Sequence, residues 1–247
     1  MDKISNKNNI KVGYTFAFHH SDNIRPSGKK VTQPSIESFY KNCNYPFHTY
    51  VIDNQSIPPT SFSEIVDTST ENLHYTYVED QYEKGLTGAW DLGVRQAIYE
   101  GHDIIILSGD DIIFDDSINN LINHIENDPE NPNSIYGPVA SGITNNVQSS
   151  SKPTNKITQI LGSKWLQHLG GHLYAFSKEF YHNYKQSNGE LFIIDQPHNG
   201  GDGKWGGNEG NVMCWAEKGA KCIIVGTCHV HHQIETRQSW KKNKNKK

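Results

Sequence analysis

One acidic pair in this chain, Asp110-Asp111, stands within the run D-I-I-I-L-S-G-D-D-I-I-F at residues 103–114. Two adjacent carboxylates supply hard oxygen ligands for Mg²⁺ or Mn²⁺, and such a cation in turn suits a diphosphate. Ser-Gly-Asp-Asp is also ordinary turn chemistry, so the pair alone leaves both readings open. A third carboxylate, Asp53, begins D-N-Q-S after an apolar stretch. It can accept hydrogen bonds from a ribose or a base edge, or cap its own strand through an Asx turn. Near the end of the chain stands C-H-V-H-H, residues 228–232. In an extended segment His229 and His231 face one way and Val230 and His232 the other, so at most two of these histidines share a site. One imidazole completing the ligand set of a cation held by Asp110 or Asp111, a zinc site with Cys228, and a structural role are the three readings. The glycine-rich segment at residues 200–211, G-G-D-G-K-W-G-G-N-E-G-N, surrounds Asp202 and Glu209 and permits close backbone approach to a ligand.

These residues need elements to position them. Residues 104–107 are an unbroken apolar run, the pattern of a strand buried on both faces, and the acids follow at its carboxyl end, where open α/β sheets bind ligands. Residues 11–18 read as a first strand ending in His19-His20-Ser21-Asp22-Asn23, then a loop with Arg25, Pro26 and Gly28. The pattern predicts a helix over 35–42 with Ser35 as N-cap, a strand over 48–53, another over 73–78, and a helix over 85–100 with Trp90, Val94, Ala97 and Ile98 on one side. A helix over 117–127 turns Ile118, Leu121, Ile122 and Ile125 inward. Residues 141–156 hold almost no core-forming side chains and read as a mobile loop over a site or a surface insertion. A strand over 170–176, an aromatic helix through Phe180, Tyr181 and Tyr184, a helix from 212 to 217 and a buried strand over 222–225 complete the pattern. Strand-to-helix alternation in the first half favours a mainly parallel sheet.

With 247 residues and a net charge of −4, the chain is long enough for a full α/β core and has no bulk charge suited to nucleic acid. The lysine-rich tail, 241–247, reads as a solvated end, or as a weak contact with an anionic membrane surface. No apolar run approaches the ~20 residues of a membrane span, and residues 1–9 lack a signal-peptide core. Four cysteines without C-x-x-C spacing suit reduced thiols and a cytoplasmic setting. There is no Walker-type phosphate loop, no G-x-G-x-x-G after the first strand and no G-x-S-x-G turn, which removes the common kinase, dehydrogenase and esterase routes.

Taken in order, V-I-D-N-Q-S, G-L-T-G-A-W-D-L-G-V-R-Q-A, I-I-L-S-G-D-D-I-I-F, G-G-H-L-Y-A-F, W-G-G-N-E-G-N-V-M-C-W-A-E-K-G-A-K-C-I-I-V and the terminal V-H-H resemble the successive segments of GT-A fold glycosyltransferases, family 2-like enzymes in particular. The resemblance runs from residue 11 to residue 232. It implies a Rossmann-like α/β sandwich, a single domain with helices on both faces of a mainly parallel sheet. Residues 11–116 would be the nucleotide-sugar-binding half and 117–236 the acceptor-binding and catalytic half, between a disordered start (1–10) and a basic disordered tail (237–247). It places Asp53, Asn54, His19, Gly85, Asp91 and Asp110 at the donor, and Asp110, Asp111, His231 and His232 around Mn²⁺ or Mg²⁺. Glu209 becomes the general base, with Asp202 and Asp195 as rivals because Asn208-Glu209 stands where the family has Glu-Asp. Ser-Gly-Asp-Asp replaces the family's Asp-x-Asp and leaves open which acid meets the metal.

The activity so implied is metal-dependent transfer of a sugar from a nucleotide-sugar, UDP-linked by preference, to a hydroxyl of a glycan, glycoconjugate or protein acceptor, with inversion if the attack is direct and in line and retention as the alternative. A sugar nucleotidyltransferase shares the layout but needs a glycine- and arginine-rich loop where this chain has H-H-S-D-N-I-R-P-S-G. A sugar-binding module that kept the fold and lost the base is the non-enzymatic alternative.

Overall fold

Every residue of the first strand, β1 (Val12–Phe18), is buried, as a strand covered on both faces must be. The computed structural model describes residues 10–20, 28–57, 59, 73–78, 85–141, 157–160, 163–166, 172–192, 215–216 and 218–233. Around β1 lie β2 (Phe47–Asn54), β3 (Leu73–Val78) and β4 (Ile104–Ser108), all mutually parallel, with β2 and β4 on either side of β1. The sheet continues through β9 (Leu173–Ser177), β6 (Ser134–Ser141), β10 (Lys221–His232) and β5 (Ile112–Phe114) in the order β3-β2-β1-β4-β9-β6-β10-β5. A separate antiparallel pair is formed by β7 (Ile157–Ile160) and β8 (Ser163–Leu166).

Strand direction decides where the chemistry can gather. β9 is antiparallel to both β4 and β6, and β10 runs parallel to β6. β6 and β10 therefore point the same way as β1 to β4, and six carboxyl ends share one rim of the sheet. The amino end of β9 and the amino end of β5, which is antiparallel to β10, reach the same rim.

Helices cover both faces. On one, α1 (Gly28–Asn42) and α3 (Ile118–Asn127) bring Ile36, Phe39, Ile118, Leu121, Ile122 and Ile125 against Tyr14, Phe16 and Ile106. On the other, α2 (Gly85–Tyr99) and α4 (Lys178–Asn188) bring Trp90, Val94, Ala97, Phe180, Tyr181 and Tyr184 against Ile105, Leu107 and Tyr174. The period of two in β1 explains the asymmetry. Its aromatic residues face α1, whereas Gly13, Thr15 and Ala17 leave room for α2. That approach is close: a Cβ on Gly93 would lie 2.4 Å from Thr15 Cγ2, and one on Gly13 would lie 2.7 Å from Ala97 Cβ.

The mainly parallel sheet with helices on both faces is the architecture the sequence implied. Three local expectations are corrected. α1 starts at Gly28 rather than at Ser35, with Pro34 inside it. Ser35 is no N-cap; its Oγ donates to the carbonyl of Ile112 at 2.6 Å, a tertiary use of a residue type that favours caps. β6 was hidden because Gly137 and Pro138 read as breakers. Proline is tolerated in a sheet at an irregularity, and Pro138 pairs with Val225 where the β10 register shifts before His229. β10 itself runs from Lys221 to His232, well beyond the apolar core at 222–225. Among the described residues no helix is long and apolar enough to cross a membrane. Residues 1–9, 142–156 and 237–247, with the expectations attached to them, lie outside the described residues.

Candidate active site

At the shared rim, the end of β1 is sewn to the turn after β2. His19 Nδ1 is 2.8 Å from the Asn54 carbonyl, the His20 amide donates to Ser56 Oγ at 2.8 Å, and the Ile57 amide donates to the His20 carbonyl at 2.9 Å. Asp53 is fully buried beneath this turn. Its Oδ1 accepts the Ser56 amide at 2.9 Å and its Oδ2 the Tyr75 hydroxyl at 3.0 Å. Asp53 thus caps its own strand end through the amide three residues on, one further than in an Asx turn. Gln55 sits in the left-handed region at φ 59°, a conformation non-glycine residues adopt at a cost and one that clusters at functional turns. Asn54 Oδ1 is shut from water and has no hydrogen-bond partner among the described residues. A buried carbonyl in that condition is costly, and a ligand N–H or O–H would relieve it.

Two strand spacings away, about 10 Å, the turn after β4 is held residue by residue. Ser108 Oγ meets the Tyr14 hydroxyl at 2.9 Å, and the Ser108 carbonyl accepts Trp90 Nε1 at 2.9 Å. The Gly109 amide donates to the His172 carbonyl, and the Gln233 amide to the Asp111 carbonyl. Asp110 Oδ2 accepts the hydroxyl of Thr32 at 3.1 Å, and Thr32 Oγ1 lies 2.8 Å from His20 Nε2. A threonine hydroxyl has one hydrogen, and here it goes to the carboxylate. His20 then donates from Nε2, which ties β1, α1 and Asp110 into one chain of hydrogen bonds.

Asp111 and His232 form an acid–imidazole pair at this rim. Asp111 Oδ2 lies 3.2 Å from His232 Nε2, outside hydrogen-bond geometry, and both residues are buried. Two ligand atoms at right angles around a cation with bonds of about 2.1 Å would stand about 3 Å apart. His232 Nδ1 is also shielded and without a hydrogen-bond partner among the described residues. Asp111 and His232 at this spacing offer two neighbouring ligand atoms to a divalent cation, while Asp110 turns its Oδ2 to Thr32 and does not close a compact set of three with them. The His172 ring stacks on His232, centroids 5.1 Å apart and planes inclined by 21°.

The remaining candidates separate. His231 falls on the opposite face of β10, exposed, with Nδ1 2.9 Å from Ser141 Oγ. Cys228, the thiol of the zinc alternative, is buried in the core, where burial pushes its pKa up to about 12. Asp91 is buried in α2 and paired with Arg95. Burial raises its pKa, and the facing guanidinium only partly offsets this. Gly85 opens α2. Glu209, Asp202 and Asp195 lie outside the described residues. Thr32 and His172 were not singled out from sequence. The only local signal for His172 is a polar ring between a glycine pair and a strand, and nothing local distinguishes Thr32.

The family model for glycosyl transferase family 2 matches residues 27–185, more than half of the chain and all of β2 through β4. The chain belongs to this family. As a family 2 domain it also has the fold of solved GT-A glycosyltransferases. It is similar to GalNAc-T7, a structure with UDP, GalNAc and Mn²⁺, at TM-score 0.62 and 14% identity over 90% of this chain and 44% of that one. It is similar to residues 1–349 of TarS from S. aureus at TM-score 0.56 and 12% identity, and to the same protein in complex with UDP at TM-score 0.57, each over 90% of this chain and 60% of the other. The chain thus spans about half the length of these proteins, and at such identity the likeness concerns the fold. No curated protein matches the sequence.

Proposed function

We propose that this family 2 domain transfers a sugar from a UDP-linked donor to an acceptor hydroxyl, with inversion, in the cleft at the carboxyl rim. The observation that carries it is the approach of His232 to Asp111 at this rim, next to Asp110 and from a distant part of the chain. UDP is preferred because GalNAc-T7 and TarS, which share the fold, have structures containing it. The base and ribose would lie against the turn of His19 and Asn54, while Asp53, engaged through both oxygens, shapes that turn from below. Asp110, Asp111 and His232 would hold Mn²⁺ or Mg²⁺, with Mn²⁺ favoured because the GalNAc-T7 structure of the same fold contains it. When bound, the cation neutralises the diphosphate as the leaving group.

Glu209, from the glycine-rich segment, is proposed to take the proton of the acceptor hydroxyl, with Asp202 as the alternative. The oxygen then bonds to the anomeric carbon from the face opposite the phosphate. The C–O bond to the phosphate breaks and its electron pair leaves with UDP. A glycan, glycoconjugate or protein would supply the hydroxyl.

The test is thermal melting with UDP and Mn²⁺, apart and together, followed by transfer assays. Joint saturation at 100-fold excess over Kd corresponds to about 2.7 kcal/mol of stabilisation. Asp111→Asn should lose the joint effect, and Glu209→Gln should keep it while losing turnover. No joint stabilisation with any nucleoside diphosphate would overturn the proposal. Full turnover in Glu209→Gln would move the base to Asp202 or Asp195.

A further inference from the structure

A second group of ligand-type side chains meets at the opposite, amino rim of the sheet. His48 near the start of β2, His74 near the start of β3 and Glu100 just past α2 each offer a ligand atom, all within 4.8 Å of one another. His48 and Asp53 are five residues apart on β2, about 17 Å along an extended strand, so this cluster is remote from the cleft. Glu100 Oε2 lies 3.3 Å from His74 Nε2 and 3.9 Å from His48 Nδ1. Ligand atoms of a tetrahedral zinc ion with bonds of about 2.0–2.1 Å stand about 3.3 Å apart. The first distance already meets this, and the second needs a movement of about half an ångström.

The surroundings hold the carboxylate in place. Tyr50 donates its hydroxyl to Glu100 Oε2 at 2.7 Å, and Gln96 Nε2 donates to Oε1 at 3.2 Å. The Tyr50 ring stacks on His74 with centroids 5.2 Å apart and planes inclined by 6°. His102 packs against His48 and hydrogen-bonds the Ala97 carbonyl through Nδ1. Partners of this kind orient metal ligands. His48 Nδ1 is shielded from water and has no hydrogen-bond partner among the described residues. Both His48 and Glu100 also line a hollow of about 210 Å³, which leaves room for water as a further ligand.

We propose that His48, His74 and Glu100 bind a divalent ion of the zinc class, two imidazoles and one carboxylate being its preferred donors. The ion would clamp the starts of β2 and β3 to the end of α2, independently of the chemistry at the other rim. The experiment is a zinc titration of the full chain against a chromophoric chelator, counting tight equivalents. The doubly substituted His48→Gln/His74→Gln chain should lose one equivalent; both side chains are about 40% exposed, and melting without metal checks that it folds. Asp111→Asn should retain that equivalent. Tyr50→Phe should retain it with affinity reduced about 10-fold. No tight equivalent in the native chain, an undiminished count in the double variant, or loss of this equivalent in Asp111→Asn instead would overturn the assignment.

Discussion

Gly93→Ala tests the packing that brings β1 and its histidines to the rim. The new Cβ would stand 2.4 Å from Thr15 Cγ2, 2.9 Å from Thr15 Oγ1 and 3.2 Å from Thr15 Cβ. Carbon pairs are comfortable at about 3.5–4.0 Å, so the closest overlap exceeds 1 Å. Thr15 is fully buried on a strand flanked by β2 and β4, and its β-branched side chain has little freedom to turn away. Overpacking of this kind costs about 1–3 kcal/mol. Alanine recovers about 1 kcal/mol of helix propensity over glycine, leaving a net loss of up to about 2 kcal/mol. For a chain of this size that lowers Tm by up to about 8 °C. Thr15→Ala removes the two closest atoms, and Thr15 Oγ1 has no hydrogen-bond partner among the described residues, so its removal forfeits little. The double variant should therefore recover most of the loss. A double-mutant cycle by calorimetric melting reads the coupling directly. No coupling between Gly93→Ala and Thr15→Ala would refute the proposed close contact between α2 and β1.

Tyr75→Phe removes the hydroxyl bound to buried Asp53; hydrogen bonds to charged groups are worth about 1.5–3 kcal/mol, and urea denaturation should show a loss of that order. Asp91→Asn should raise stability at neutral pH. Burial lifts the folded-state pKa of Asp91, so its cost is present at neutral pH, shrinks as pH falls through that raised value and is gone below about 3.9. Melting curves across this range should show the gain from Asp91→Asn shrinking toward acid. His232→Gln should remove the Mn²⁺-dependent increase in UDP affinity measured by titration calorimetry; an undiminished increase would exclude His232 from the cation site.

The elements legible in the sequence are those whose signal is local. An apolar run marked β4, helical spacing marked all four inward residues of α3, and the alternation of β10 placed His229 and His231 outside, Val230 and His232 inside. β6 and the first turns of α1 escaped because proline in each is excused by the fold, at a register shift in one and inside a helix in the other. The site was only half legible for a related reason. Asp53, Asp110, Asp111 and His232 are named by residue type at strand ends, but the partners of the last three lie far away in the chain. Thr32 reaches Asp110 across 78 positions.

By itself, the sequence determined the kind of molecule: buried strands alternating with amphipathic helices, acids after strands, and a family pattern spread across the chain. Hydrophobic periodicity is written in every window of a few residues, so it survives without the fold. Only the tertiary structure decided that six strands end at one rim, that His232 rather than His231 meets Asp111, and that His48, His74 and Glu100 gather at the other. Those outcomes depend on strand order and direction, which are set by long-range pairing and packing that no local window contains.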